Sequence, residues 1–135
     1  MKKTLIGAAV AAGIAGPAAA QDSIRISSEW GEVTAILEEN DATQSLIEML
    51  PVMIDMRDHL RQEKTGNLPS ALAEVPRQRA FSAGTLGLWS SQDFVIYYDD
   101  GQVPSPGIVI LGQIEGDMSI FDRPGNVTVT ISRIE

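Results

Sequence analysis

From Ile24 to the end of this chain, apolar side chains recur at every second residue, in short runs broken by turn residues. Ile24-Arg25-Ile26-Ser27 begins the pattern, Val52, Ile54 and Met56 continue it, and Val127, Val129 and Ile131 close it. A two-residue period puts alternate side chains on opposite faces, so each run predicts a half-buried β-strand. There is no cysteine, so these strands must be held together by core burial rather than by cross-links.

The other segments fit the same reading. Gly31 supplies a turn, and Glu32 to Leu37 reads as a strand returning alongside the first. Asp41-Ala42-Thr43-Gln44 is a helix start, with the Asp41 side chain placed to accept from the Gln44 amide. Leu46, Ile47, Met49 and Leu50 mark one apolar face, and Pro51 ends a helix of about three turns. Arg57 to Gly66 is charged and predicts a solvent-facing loop, followed by an irregular stretch to about Arg79. Loops of that length tend to be functional or mobile. Leu86 and Leu88 alternate with Gly87 and Trp89, Ser90-Ser91-Gln92 turns the chain, and Phe94 to Tyr98 returns. Asp99-Asp100-Gly101 and Pro104 to Gly107 are turn chemistry. Ile108 to Ile114 is a strand covered on both faces, and Met118 to Phe121 forms one short helical turn. Seven or so strands and one clear helix predict a mainly β fold, a closed or nearly closed barrel with one short α-helix. A parallel sheet would need a helix between most consecutive strands.

The N-terminus predicts the compartment. Met1-Lys2-Lys3 is positive, Leu5 to Ile14 is apolar, Gly16-Pro17 breaks any helix, and Ala18-Ala19-Ala20 offers small residues to a signal peptidase. Residues 1–20 therefore read as a secretory signal peptide cut before Gln21, its apolar stretch being too short for a bilayer span. The expected destination is a bacterial periplasm. The remaining domain, residues 21–135, has 115 residues, enough for one domain. The whole chain carries a net charge of −8; without the two leader lysines it is −10. Such a surface repels nucleic acid and anionic lipid headgroups, so neither is an expected partner.

Three runs carry a family resemblance: Glu63-Lys64 before Leu68-Pro69, Gly84-x-Leu-x-Leu-Trp89, and Phe94-Val-Ile-Tyr-Tyr98. Gly107-Ile-Val-Ile-Leu-Gly-Gln-Ile114 and a final Val-Thr-Val strand follow in order. The chain from about residue 24 onward resembles the small bacterial and archaeal cyclophilin-like domain proteins. That resemblance implies the cyclophilin barrel. The family usually carries Gly-Asp before its Trp strand, where Thr85 stands here, so a carboxylate is missing at that strand start. The Phe-His-Arg run of true cyclophilins, with Phe and Gln further on, is also missing. The single histidine lies in Arg57-Asp58-His59-Leu60-Arg61, which does not match it. The resemblance thus implies a fold, and the isomerase activity does not carry over.

Two readings of function remain. A prolyl isomerase must hold a proline ring in an apolar pocket and donate a hydrogen bond that breaks amide conjugation. Arg57, just after Met56, is the candidate donor, with Met56, Phe81, Trp89 and Tyr97 as candidate pocket residues. The plainer view makes Phe81 and Trp89 core and leaves Arg57 on a solvated loop. A binding module is the competing class, seating a peptide or small molecule without reacting with it. It is the expected function, with weak isomerase activity as the alternative. Asp58-His59 reads as ordinary surface, because neighbouring residues point apart. Glu38-Glu39 and Asp99-Asp100 lack calcium-loop spacing, and one histidine without cysteine argues against a transition metal, so no cofactor is expected. Gly84-x-x-Gly87 is followed by neither Lys-Ser/Thr nor a helix and is not a phosphate loop.

Overall fold

The computed structural model describes residues 22–134; the expected leader, residues 1–20, lies outside the described residues. The barrel strands are β1 (Ser23–Ser28), β2 (Gly31–Leu37), β3 (Val52–His59), β4 (Glu63–Asn67), β6 (Thr85–Leu88), β7 (Asp93–Tyr97), β9 (Val109–Glu115) and β10 (Val127–Ile134). These eight close into an antiparallel barrel in the order β9-β2-β1-β10-β3-β4-β7-β6. Two short strands, β5 (Ala80–Phe81) and β8 (Gly101–Gln102), pair outside it.

Closure joins the first strand to the last, with Ile26 opposite Ile131 and Ile24 opposite Arg133. On the far side of β10, Val129 lies opposite Ile54 of β3. The seam between β9 and β6 shifts register between Ile110 and Gly112, a bulge that bends the strand. Gly112 is required there, because a Cβ would stand 2.5 Å from the Ile36 carbonyl oxygen.

Alternation divides the apolar residues between two clusters. Ile24, Ile26, Ile54, Met56, Leu86, Phe94, Ile96, Val129 and Ile131 share the main interior cluster. The opposite face of β7 carries a smaller one of Phe81, Val95, Tyr97, Val103 and Ile108, with Trp89 and Ile110 against it. None of the helices among the described residues is long and apolar enough to cross a membrane.

Two expectations are corrected. The helix α1 (Asp41–Glu48) is shorter than expected, and its cap is Asn40 rather than Asp41. Asn40 Oδ1 accepts from the Thr43 amide at 2.9 Å, and Thr43 Oγ1 accepts from the Asn40 amide at 3.2 Å. Thr43 can fill this reciprocal role because its hydroxyl also donates to the Glu38 carbonyl at 2.7 Å. Asp41 instead occupies the first turn.

The charged stretch from Arg57 to Gly66 is not a loop. It is most of a β-hairpin, with β3 continuing through His59 and β4 starting at Glu63. Leu60 and Arg61 make the tight connection with φ of 57° and 50°. Residues 63–66 are all buried. Burial of Glu63 and Lys64 is tolerable because each finds hydrogen-bond partners, described below.

The irregular stretch after β4 is tied down. Amides of Leu68 and Leu72 donate to the carbonyls of Gln92 and Ser91 at 2.8 and 2.9 Å. The Arg77 guanidinium reaches the Leu88 and Gly107 carbonyls at 3.3 Å and the Ser90 carbonyl at 2.8 Å.

Candidate functional site

Side chains on the outer face of the β3–β4–β7 sheet line up in transverse rows. Arg57 lies opposite Thr65, and His59 opposite Glu63. Across the next seam Thr65 faces Val95 and Glu63 faces Tyr97. Trp89, at the end of β6, donates its amide to the Asp93 carbonyl at 2.9 Å and so closes the β6–β7 turn. Its indole Nε1 donates to Glu63 Oε2 at 3.3 Å. Arg57, His59, Glu63, Thr65, Trp89 and Asp93 surround a cleft of about 270 Å³.

The polar groups of this cleft are largely uncommitted. Glu63 is only 1% exposed, and its carboxylate accepts from Trp89 and, at 2.8 Å, from Gln62 Nε2. Both donors are neutral. Arg57 is exposed, and among the described residues it is the one arginine whose side chain has no hydrogen bond, ion pair or ring contact. The side chains of His59 and Asp93 also lack a partner among those residues. On its other side Arg57 borders a wider hollow of about 520 Å³, with Glu29, Asp55, Asn126 and Thr128 on its walls.

Of the residues picked out from the sequence, the cleft unites Arg57 and Trp89. Met56 is 2% exposed, belongs to the interior cluster, and borders the wider hollow instead. Phe81 and Tyr97 stack at 3.7 Å between ring centroids, 20° apart in plane, and are buried in the outer cluster. The Tyr97 hydroxyl is buried without a partner. Burial, then the charge of Glu63, pushes its pKa well above the ordinary tyrosine value. As site residues, Thr65 and Asp93 carry no signal in the sequence, Glu63 stands out there only as part of a family motif, and His59 reads as plain surface. Only the hairpin register brings them together, and the expected loop hid that register.

A second polar cluster closes the barrel end behind the β3–β4 turn. The Lys64 ammonium, fully buried, donates to Asp58 Oδ1 at 2.9 Å, to the Gly125 carbonyl at 3.1 Å, and to the Arg123 carbonyl. It lies 5.1 Å from the Trp30 ring centroid and 5.7 Å from that of Tyr98. Tyr98 donates its hydroxyl to Asp58 Oδ1 at 2.5 Å and accepts from Arg61, which also pairs with Asp122 at 3.0 Å. Burial works to raise the pKa of Asp58, but the bonds from Tyr98 and Lys64 outweigh it and hold the carboxyl below its ordinary 3.8. With every Lys64 donor used and none of it exposed, this cluster ties the loop at 123–125 to the barrel.

Chemically, the cleft offers an unspent guanidinium for a carbonyl or carboxylate and an indole wall. Its buried carboxylate sits at the base. Among the described residues no group of three or more His, Asp or Glu could hold a metal ion.

The cyclophilin-like family matches residues 26–132. The structure of a hypothetical protein from Archaeoglobus fulgidus is similar, with a TM-score of 0.67 at 13% identity, over 84% of this chain and 95% of that one. A cyclophilin-type peptidyl-prolyl cis-trans isomerase from Cryptosporidium parvum has a TM-score of 0.56 at 14% identity, over 86% of this chain and 99% of that one. At such identities the likeness is one of fold. No curated protein matches the chain.

Proposed function

We infer that this chain, which belongs to the cyclophilin-like family, is a binding module that seats an extended peptide or a small ligand in the cleft beside Arg57 and Trp89. The uncommitted Arg57 guanidinium carries the reading. Every other arginine among the described residues is engaged within the fold, whereas this one stands at the junction of two hollows. A guanidinium presents five donors in a fixed plane, suited to a peptide carbonyl or a carboxylate. Trp89 supplies the flat apolar surface that anchors ligands in such clefts.

Prolyl isomerisation is the second reading, favoured by Arg57 standing over a cleft with an aromatic wall. A donor aimed at the amide nitrogen of a bound proline would weaken the conjugation that sets the ~18–20 kcal/mol barrier. Against it, Phe81 and Tyr97 are stacked and buried, so the apolar wall for a proline ring is reduced to Trp89. Binding without turnover is the better account.

Isomerisation of a proline peptide, measured with wild type and Arg57→Ala, separates the two. Binding alone gives no rate above background, together with peptide-induced NMR shifts at Trp89 that Arg57→Ala weakens about tenfold. A rate that vanishes in Arg57→Ala would establish the isomerase. The leader supports action in the periplasm, and the acidic net charge supports a partner other than nucleic acid or membrane. Export is checked by mass spectrometry of the periplasmic protein, whose chain should begin at Gln21.

A further inference from the structure

We propose that the cleft takes a cationic side chain, a lysine or arginine of the bound peptide, paired with the Glu63 carboxylate and lying over the face of the Trp89 indole. The proposal rests on the binding reading above and names its ligand class. Glu63 is a carboxylate 1% exposed, at the base of an open cleft, held by two neutral donors and no cation. A carboxylate has about four acceptor positions, so two remain for a ligand. A buried carboxylate without a counter-charge gains most from a partner that brings one.

Trp89 turns its N–H toward Glu63, which fixes the indole as a wall next to the same carboxylate. Indole is the aromatic side chain most attractive to cations. Asp93, half-buried and without a side-chain partner among the described residues, adds a second negative group to the cleft.

The fold elsewhere surrounds a cation with the same two chemistries, a carboxylate and an indole. Lys64 sits 2.9 Å from the Asp58 carboxylate and 5.1 Å from the Trp30 ring. There the protein supplies its own cation. At Glu63 and Trp89 the carboxylate and the indole are present and the cation is left to the ligand. Arg57 does not pair with Glu63 or Asp93, so its guanidinium is free to take a backbone carbonyl of the same peptide and set its direction.

The test uses three blocked peptides, acetyl-Ala-X-Pro-Ala-amide with X lysine, norleucine or glutamate. Each is titrated into the protein while the Trp89 indole N–H is followed by NMR. The lysine peptide should bind about tenfold tighter than the norleucine one, and the glutamate peptide weakest. Glu63→Gln should erase most of the lysine advantage over norleucine. Should that variant lose the β-type circular dichroism, Asp93→Asn carries the test, with about a threefold loss expected for lysine alone. Equal affinity for all three peptides would overturn the cation site and leave the binding cleft standing. A lysine preference that survives both substitutions would also overturn it, placing the charge contact elsewhere on the acidic surface. If no peptide moves the cleft resonances, the binding reading and the cation site fail together.

Discussion

Lys64 shows how far a single residue can depart from its type. None of its side chain is exposed, yet its ammonium has Asp58, two backbone carbonyls and two aromatic rings around it. Without Lys64 the Asp58 carboxylate keeps Tyr98 and Arg61, while the Arg123 and Gly125 carbonyls lose their buried donor, at a cost of roughly 1–3 kcal/mol. Lys64→Met, which keeps the volume, is expected to lower unfolding free energy in urea by about that amount; a change under about 1 kcal/mol would show that the cluster adds little. The same cluster should shape acid stability. Asp58 titrates below 3.8 in the folded protein, so its contribution is complete above the unfolded value and is lost as pH falls through the lower folded one. Stability of the wild type should therefore drop more steeply with acidification than that of Asp58→Asn, with equal slopes at neutral pH. Nothing in the sequence announces this. Glu63 and Lys64 are adjacent and both charged, so an apolar–polar alternation has no parity to read there, and the stretch passes for a loop. Arg57 and Trp89 could be picked out as an unusual donor and an unusual ring. Their meeting with Glu63 and Asp93 depends on cross-strand register.

At the scale of elements, β1, β2, β3 and β10 were legible because burial alternates along them, β6 and β7 because they are apolar runs bounded by turns, and the helix because a cap precedes an apolar face. Its boundary was less so. Asn40 and Asp41 are both good cap residues by type. The backbone decides between them: Asn40 is extended, with φ −152° and ψ 176°, while Asp41 is already helical. Thr43 completes the box with its hydroxyl, a role more often filled by Glu or Gln. Asn40→Ala should therefore cost about 1 kcal/mol in thermal or urea unfolding. Asp41→Ala removes only a first-turn charge and should cost a few tenths, roughly 0.3 kcal/mol. The reverse order of effects would return the cap to Asp41.

The whole molecule is a ring of strands, and the ring closes only when the last strand arrives. β10 sits between β1 and β3, pairing with both, and brings Val127, Val129 and Ile131 into the interior cluster. Alternation along the chain foretold a barrel but could not say which strands meet, because pairing between residues so far apart in sequence is set by closure of the ring itself. A sheet lacking β10 would expose two unpaired edges, on β1 and β3, and open its core to water between them. No disulfide holds the remainder together. Loss is then expected to be all-or-none. A chain ending at Asn126 should show no β-type circular dichroism, no sigmoidal thermal transition, and rapid digestion by a protease that leaves the intact barrel whole. The intact protein should melt in one transition, unchanged by reducing agent. Adding the missing strand as a separate peptide, residues 126–135, should restore protection, because its edge-pairing groups and three apolar side chains are what the ring lacks. A truncated chain that still melts cooperatively would mean that the first nine strands hold a core of their own.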